Sequence, residues 1–449
     1  MSGRRRILTG TPQALLVSSF AGLIGLGTLL LSLPWAHQPG KVGFLDAFFT
    51  ATSAVCVTGL IVVDTGSDYT LFGQTVILFL IQAGGLGVMT FAALAALILG
   101  GRLSLASQAA LSDTFLQRDA ASEFLRLFLR MLKLVFVIES AGASLLFVFL
   151  LQDKPVPHAL GSAVFHAVSA FCNAGFSIYS DNLMGINHNI GFIAVVMLLI
   201  VSGGLGHIVL AELWSLLQDR HRESLRRFSH HTKIALGASI LLIAGGVAGL
   251  LLFGLTPEER DLGERLWSAL FQSVTARTAG FNTVDLGCLP LASLFFIMLF
   301  MFVGGSPGSC AGGIKTTTAA IWLARLKCRL LGRTDTVLLG RTVPIDIVRR
   351  VSVLVGLALL WNAFGTLYLL ASERAIPGVG MEDLLFEQLS AFGTVGLSTG
   401  VTPQLSAAGR LWIILTMFVG RLGPLTLALW MIPMGQERIV YPDGKVMIG

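Results

Sequence analysis

The residues of this chain best suited to chemistry lie in four short stretches that each end near a glycine. They read DAFFTATSAVCVTGL (46–60), SAVFHAVSAFCNAGF (162–176), SALFQSVTARTAGF (268–281) and DLLFEQLSAFGTVGL (383–397). One template fits all of them: Asp or Ser, two residues, Phe, three residues, Ser or Thr, Ala, and then a glycine. The glycines Gly59, Gly175, Gly280 and Gly396 are 116, 105 and 116 residues apart, which indicates an internal fourfold repeat.

Such stretches can bind a dehydrated cation through backbone carbonyl groups. A glycine permits positive φ and places no side chain between the carbonyl groups and a narrow axis. Four turns around one axis would give rings of oxygens that replace the water shell of a potassium ion. Only the fourth stretch, Thr394–Val395–Gly396, matches the tripeptide of potassium channels. The predicted lining is Val57, Thr58, Gly59, Asn173, Ala174, Gly175, Thr278, Ala279, Gly280, Thr394, Val395 and Gly396.

Two other interpretations of these stretches compete with a filter. They could be ordinary re-entrant turns of a transporter, or the last of them could be a small-residue motif for helix packing. Fourfold repetition outside the spans favours a ring. The third stretch is one residue shorter between Ala276 and Gly280, so we expect its carbonyl groups to be placed differently.

Composition indicates a membrane protein. Of the 449 residues, 54% are hydrophobic and only 12% are charged, and the mean hydropathy is +0.79. A stretch of about 20 apolar residues is long enough to cross a bilayer as a helix. The candidate spans are Leu15 to Leu33, Leu71 to Leu99, Leu134 to Leu151, Ile190 to Leu217, Ile234 to Leu255, Val351 to Leu370 and Leu411 to Met431, with an interrupted span over 299–322.

The placement of charge predicts the orientation. Most of the 31 Lys and Arg residues lie in alternate segments between spans, among them 219–233 and 325–350, while acidic residues are common in the other loops. By the positive-inside rule, both termini are expected in the cytoplasm. Basic residues distributed in this way argue against nucleic acid as a partner. The five cysteines lack the spacing of a metal or disulfide site.

The predicted fold is therefore an all-α polytopic membrane protein. Each repeat consists of a span, a short pore helix with its filter turn, and a second span, arranged around a pseudo-fourfold pore. The predicted boundaries are 1–100, 101–220, 221–332 with a broken second span, and 333–449 with a C-terminal tail. The template residues Asp46, Ser162, Ser268 and Asp383 are expected to cap the pore helices.

The second span of the third repeat, LFMFVGGSPGSCAGGIKTTTAAIW (299–322), cannot form an ordinary helix. One interpretation is a phosphate-binding loop, but Ile314 displaces Lys315 by one position and no strand precedes it. A second is an intramembrane serine hydrolase with Ser309 as nucleophile and His207 as base. The favoured interpretation is a flexible gate below the filter, formed by Gly304, Gly305, Ser306, Pro307, Gly308, Ser309, Gly312 and Gly313.

Two basic residues within the spans are predicted to belong to this gate. Arg421 should face the cavity or pair with an acid, because an arginine facing lipid is unfavourable. There it would repel a permeating cation, and Lys315 is expected to act in the same way. Glu139 is a candidate partner for Arg421.

Arg277 lies within the third filter turn. Since a positive charge in the ring would block potassium, its side chain should point behind the filter. Glu387 and Asp285 are the predicted partners.

These residues also resemble a known family. The four filter turns, GGSPGSCAGGIKTTT in the third repeat and GRLGPLT in the fourth are similar to the membrane subunits of bacterial Ktr/Trk potassium-uptake systems, in the Trk/Ktr/HKT superfamily. The resemblance covers essentially the whole chain. The form of the glycine-rich loop and the eight-span length are closer to Ktr than to Trk subunits.

The resemblance implies potassium uptake, often sodium-dependent, with no organic cofactor and no enzyme activity. It implies a homodimer in which each protomer has its own pore, assembled with a cytoplasmic ring of nucleotide-binding regulatory subunits. Segment 219–233 and the C-terminal tail are expected to contact that ring. It also implies that Gly304 to Gly313 forms the gate and that Arg421 is the positive residue beneath the filter. A passive monovalent cation channel is the main alternative function.

Overall fold

In the computed structural model, the described residues, 12–87, 121–218, 228–255 and 261–424, fold mostly into α-helices. The prediction of an all-α fold is confirmed. The first half contains α1 (Pro12–Leu31), α2 (Phe44–Val55), α3 (Leu71–Leu86), α4 (Ala121–Leu150), α5 (Val156–Phe171), α6 (Ile190–Leu205) and α7 (His207–Gln218). The second half contains α8 (His230–Phe253), α9 (Leu262–Thr275), α10 (Leu291–Phe302), α11 (Thr316–Leu330), α12 (Ile345–Ser372), α13 (Met381–Gly393) and α14 (Ala407–Leu422).

Three kinds of short element complete the described part. The two-residue strands β1 (Val337–Leu338) and β2 (Arg341–Thr342) form an antiparallel hairpin, with Val337 opposite Thr342. The 3₁₀ turns are Met184–Ile186, Leu286–Cys288 and Thr402–Gln404. An isolated parallel bridge pairs Val303 with Ile314 across the interrupted span.

The short helices α2, α5, α9 and α13 lie at the centre of the molecule. Their template phenylalanines are buried, with Phe49, Phe271 and Phe386 fully inaccessible and Phe165 4% exposed. Helices α2, α5 and α13 each pack against both neighbours in the chain, and α9 packs against α8. Burying the apolar face of a helix on all sides fits a site at membrane depth that is surrounded by protein.

Contacts between successive units close these helices into a cycle. Helix α3 packs on the short helix α5, α6 packs on α9, α10 packs on α13, and α14 returns to pack on α2. The first and last parts of the chain are therefore neighbours. Boundaries at residues 100, 220 and 332 are compatible with this order but stay a prediction.

By length and composition, three of the described helices could each cross a membrane: α4 over Leu129–Leu150, α8 and α12. Helices α6 and α7 could form a fourth span, although they are bent by 109° relative to each other. Helices α1, α3 and α10 are apolar but shorter. The predicted span from Leu71 continues beyond residue 87, outside the described residues.

The predicted caps of the short helices were wrong. These helices begin earlier than the template, after Gly43, Pro155, Asp261 and Gly380. Asp46 and Asp383 instead lie in the first turn, where they accept the backbone N–H groups of Gly43 at 2.9 Å and Gly380 at 3.0 Å. Ser162 and Ser268 are interior helix residues, because apolar residues extend those helices towards their N-termini.

The helices that follow the filter turns begin and end in similar ways. Side chains cap three of their N-termini: Thr70 accepts from Gly73, Asn189 from Phe192, and Ser406 from Gly409. Helices α3, α6 and α14 then end at glycines with left-handed backbone, Gly87 (φ 82°), Gly206 (φ 86°) and Gly423 (φ 85°). An interruption was predicted only for the third unit, whereas all four of these helices stop at a corresponding place.

Candidate functional site

The four predicted filter turns have the same backbone conformation. In each of them the residue two positions before the glycine is left-handed: Val57 (φ 56°), Asn173 (φ 59°), Thr278 (φ 69°) and Thr394 (φ 49°). The glycines have φ values of 92°, 68°, 78° and 90° in the same order. A left-handed β-branched residue such as Val57 is strained, so its surroundings must maintain it.

Backbone hydrogen bonds maintain these turns. The N–H groups of Thr58, Ala174 and Val395 each donate over 2.8 Å to the template serine's carbonyl, on Ser53, Ser169 and Ser390. In the shorter third turn, Ala279 donates to the carbonyl of Thr275 at 3.0 Å. Because the third turn is one residue shorter, the donor and acceptor of this hydrogen bond are one residue closer in sequence than in the other turns. Its left-handed residue and its glycine keep the same conformations.

The hydroxyl groups of the template Ser and Thr residues hold the glycine ends of the turns. In the first and fourth turns, Gly59 and Gly396 donate their N–H groups to Ser53 Oγ at 3.0 Å and Ser390 Oγ at 3.1 Å. In the second and third, Ser169 Oγ and Thr275 Oγ1 donate to the carbonyls of Phe176 and Phe281. Sequence analysis included these hydroxyls in the template without a role, although their recurrence was a usable signal.

The filter glycines abut one another in a closed ring. A Cβ atom added to Gly59 would overlap the carbonyl oxygen of Ala174, and one on Gly175 would lie 2.8 Å from that of Ala279. Added atoms on Gly280 and Gly396 would overlap the carbonyl oxygens of Val395 and Thr58. Each glycine thus meets the residue before the next glycine, and the fourth turn returns to the first.

A loop from Val303 to Lys315, here called the gate loop, interrupts the span after the third turn. It folds on itself through hydrogen bonds from Gly304 N–H to Ile314 O at 2.8 Å and from Thr316 N–H to Gly305 O at 3.0 Å. It also lies against the filter, since a Cβ on Gly312 would overlap Thr394 Oγ1. The Ser306 hydroxyl is buried and lies 3.1 Å from Thr316 Oγ1.

The gate loop docks on the bent junction between α6 and α7. Ser306 and Cys310 donate their N–H groups to the carbonyls of Gly204 at 2.9 Å and Gly203 at 3.3 Å. On its other side lies a cavity of about 220 Å³, lined by Leu16, Phe20, Met131 and Leu134 together with Ser309, Lys315 and Arg421. Space is therefore available next to the loop.

Arg421 and Lys315 fasten the gate loop through backbone carbonyl groups. The Arg421 guanidinium donates one N–H to the carbonyl of Cys310 in the loop and another to that of Gly84 in α3. Lys315 Nζ donates to the carbonyl of Ala311 within the loop. The site so far combines a ring of carbonyl oxygens with a glycine-rich loop that carries two cationic side chains.

The predicted pairing of Arg421 with Glu139 was wrong. Glu139 accepts instead from Gln82 Nε2 at 3.2 Å and from the Cys172 thiol at 3.9 Å. Within the described ranges, the ion pairs are Lys41–Asp68, Asp346–Arg349 and Asp46–Arg410, and none involves Arg421. One carbonyl oxygen near the end of α3 and one in the gate loop have taken the place of an acid.

The predicted acidic partners of Arg277 were also wrong. Its guanidinium is buried and donates to Ser239 Oγ of α8 at 3.1 Å. Arg277 thus bonds a helix of its own unit. Glu387 accepts instead from the hydroxyls of Ser398 and Thr402.

His207 and Ser309, the residues considered for a hydrolase, both bond backbone groups of the gate loop. His207 Nδ1 lies 2.8 Å from the carbonyl oxygen of Gly308, the residue before Ser309. Ser309 Oγ accepts the N–H of Ala311 at 3.3 Å. His207 thus helps to dock the gate loop on α7, and Ser309 bonds within the loop itself.

Glycines on the helices after the turns are functional residues that sequence analysis missed. An added Cβ on Gly84, Gly203 or Gly420 would overlap the carbonyl oxygen at the end of a short helix, on Val55, Phe171 and Phe392 respectively. The signal was present in the recurring segments GGLG (84–87), GGLG (203–206) and GRLG (420–423). They allow the short helices to direct their negative ends towards the centre of the ring, which favours a cation there.

Comparison with known proteins gives consistent results. The defining sequence pattern of the family described as TrkH, cation transport protein, matches residues 11–440. The Ktr system potassium uptake protein B of Bacillus subtilis is 37% identical over 98% of this chain and 96% of its own length. The potassium/sodium uptake protein NtpJ of Enterococcus hirae is 36% identical over 98% of this chain and 97% of its own length.

The solved structures include one with the same fold. The potassium transporter TrkH from Vibrio parahaemolyticus superimposes with a TM-score of 0.72, covering 94% of this chain and 84% of that one. Their sequence identity is 19%, so the comparison concerns the fold.

Proposed function

Because the chain belongs to the TrkH family of cation transport proteins, we propose that it is the membrane subunit of a potassium-uptake system. Potassium crosses the membrane through the four filter turns, where backbone carbonyl oxygens replace its water shell. The observation that carries this proposal is the closed cycle in which each filter glycine abuts the carbonyl group before the next glycine. The whole family transports cations, and no enzyme activity is assigned to the chain.

Potassium is the proposed ion because the sequence relatives in Bacillus subtilis and Vibrio alginolyticus are Ktr system potassium uptake proteins. Glycine at all four filter positions supports the same choice. Sodium is the second candidate, since the relative NtpJ is a potassium/sodium uptake protein. Sodium would act as a coupling ion or as a second transported ion.

The gate loop is the proposed barrier to ion flow. It lies against Thr394 of the filter and is held by Arg421, whose guanidinium bonds both the loop and α3. The positive charge of Arg421 opposes a cation that leaves the ring. The cavity beside the loop offers space for it to move when the pore opens.

The proposed setting is the bacterial inner membrane, with both termini in the cytoplasm. The proposed partners are a second copy of the chain and a cytoplasmic ring of nucleotide-binding regulatory subunits. The segment 219–233 and the C-terminal tail are the proposed contacts with that ring. Residues 219–227 and 425–449 lie outside the described part of the chain.

The test is potassium uptake in cells that lack their own potassium importers and express the chain with its cognate regulatory subunit. Gly59→Ala and Gly396→Ala should lower uptake by about tenfold or more, since about 1.4 kcal/mol of strain in the filter corresponds to tenfold. The control is Gly356→Ala, which lies in α12 with open space at its Cβ position. Each variant's amount in the membrane is measured alongside.

The proposed filter ring is supported if the wild type and the control variant restore growth at low potassium and both filter variants fail to do so. A well-expressed wild-type chain that takes up no potassium contradicts the proposal. Sodium flux is then the next measurement.

A further inference from the structure

Each short helix carries a buried polar residue directly after its template phenylalanine, and sequence analysis gave this position no role. The residues are Thr50, His166, Gln272 and Glu387, each no more than 1% exposed. Each of these residues has a counterpart two positions after the filter glycine of its unit. The counterparts are Ile61, Ser177, Asn282 and Ser398, which follow the buried polar residues by 11, 11, 10 and 11 residues. The one shorter interval belongs to the shorter third turn. The four pairs are therefore equivalent positions of the repeat.

Glu387 connects its short helix to the chain that leaves the fourth filter turn. The carboxylate accepts the hydroxyl of Ser398 through one oxygen and that of Thr402 through the other, at 2.6 Å for Thr402. Thus two hydroxyl donors within five residues converge on one fully buried carboxylate, immediately after Gly396.

His166 makes the corresponding connection in the second unit. His166 Nε2 lies 3.0 Å from Ser177 Oγ, and Ser177 in turn donates to the carbonyl of Asn182 at 2.9 Å. The imidazole stacks on Tyr179 with ring centres 4.8 Å apart. The second and fourth turns are not adjacent in the ring, so these two polar links lie on opposite sides of it.

The other two units lack this link among the described residues. In the third, both polar side-chain atoms of Gln272 are buried without a hydrogen-bond partner. In the first unit, the residue two positions after the filter glycine is the apolar Ile61. In two opposite units this buried polar residue is therefore linked to the strand after the filter glycine, and in the other two units it is not.

We propose that Glu387 is a positioning residue that fixes the fourth filter strand and thereby sets the preference for potassium over sodium, with His166 in the same role in the opposite strand. This inference rests on the proposed function. Selection between the two ions requires carbonyl oxygens that stay at positions suited to the larger ion. A strand released from Glu387 can move towards the axis and accept the smaller sodium ion.

The test compares rubidium influx, as a tracer for potassium, with sodium influx in the same importer-deficient cells. Glu387→Ala should lower the rubidium-to-sodium ratio by about tenfold, as expected for losing charge-assisted hydrogen bonds. The double change Ser398→Ala with Thr402→Ala should lower it similarly, without altering the carboxylate. Glu387→Gln should stay close to wild type, because its amide can still bond both hydroxyls. Gln272→Leu, the equivalent position of the third unit, is the matched control.

The alternative is that the carboxylate acts on ions through its charge. In that case Glu387→Gln would be as defective as Glu387→Ala and the double hydroxyl variant would be normal, and this result overturns the proposal. An unchanged rubidium-to-sodium ratio in the double hydroxyl variant also overturns the proposal. The double variant remains a decisive test if Glu387→Ala fails to fold. If the wild-type chain conducts neither ion, both the proposed function and the role of Glu387 are overturned. If the wild type takes up potassium normally and the variants have the same rubidium-to-sodium ratio, only the role of Glu387 is overturned.

Discussion

At each filter glycine, two independent requirements disfavour a side chain. The backbone is left-handed, which Gly396 adopts at φ 90° without a steric penalty. In addition, a side chain at Gly396 would overlap the carbonyl oxygen of Thr58 from the first turn. The first requirement is local, and the second arises only when the four turns meet.

Arg421 leads to a prediction at the level of a single residue. Arg421→Lys should raise potassium influx by about tenfold when the regulatory subunit is absent, because an ammonium group cannot bond the carbonyls of Gly84 and Cys310 together as a guanidinium does. Influx into importer-deficient cells, with and without the regulatory subunit, is the measurement. Arg349→Lys is the control, since Arg349 is exposed and forms only a 3.9 Å ion pair with Asp346. Influx equal to wild type would show that the guanidinium does not restrain the loop.

Sequence alone predicted a set of residues that would line the ring but not what the buried charges bond to. The filter positions recur at fixed distances within a template, so one pattern supplied the whole prediction. The partners of Arg421 are 337 and 111 residues away and are carbonyl groups, which every residue has. Arg277 likewise bonds a serine 38 residues earlier. No side-chain pattern marks such partners.

At the level of elements, the broken helices explain how polar backbone is tolerated at this depth. Helices α3, α6 and α14 end beside the filter, and their freed carbonyls of Gly84, Gly203 and Gly204 accept hydrogen bonds from Arg421 and from the gate loop. Two of the loop's own N–H groups, those of Ser306 and Cys310, are satisfied by the same contacts. The gate loop and the helix ends thus complete each other's hydrogen bonding.

Shortening the gate loop tests its role as a barrier. Deleting residues 309–311 removes the Cys310 carbonyl that Arg421 bonds and the N–H that bonds Gly203, so potassium influx should rise several-fold and become independent of the regulatory subunit. Initial influx rates at saturating potassium are the measurement.

A deletion of equal length at 332–334, in the exposed turn after α11, is the control and should leave influx unchanged. Lower influx in the 309–311 deletion, with normal expression, would show that the loop supports conduction instead of blocking it.

The sequence indicated one broken span where the structure has several breaks. Pro307 and a cluster of glycines made the third unit conspicuous, whereas α6 is interrupted by Gly206 within a run that remains apolar on both sides. Hydropathy does not detect such a break, because a bend of 109° changes no residue's polarity. The repeated GGLG and GRLG segments were the available signal.

For the whole molecule, charge predicts which side faces the cytoplasm. The exposed residues Arg329, Arg333 and Arg341 lie at the end of α11 and in the hairpin that follows, on the proposed cytoplasmic side. The 3₁₀ turn at Cys288 lies on the outer side in the proposed topology. A membrane-impermeant maleimide should therefore label the exposed Cys288 in intact cells. Mass spectrometry of the labelled peptide is the measurement.

The matched variant is Arg333→Cys in a Cys288→Ser background. It should be labelled only after the membrane is permeabilised. Labelling of Arg333→Cys in intact cells would contradict the proposed orientation, and with it the cytoplasmic location of the regulatory contacts.

The return of the fourth turn to the first has a consequence for biosynthesis. Gly396 meets Thr58, and α14 packs on α2, so the ring closes through contacts between segments made near the start and near the end of translation. Such distant contacts form late and leave earlier segments exposed until then. The left-handed Val57, inserted first, must wait for nearly the entire chain before its neighbours are complete. A prematurely terminated chain would leave an open ring in the bilayer, and cells would need to remove it.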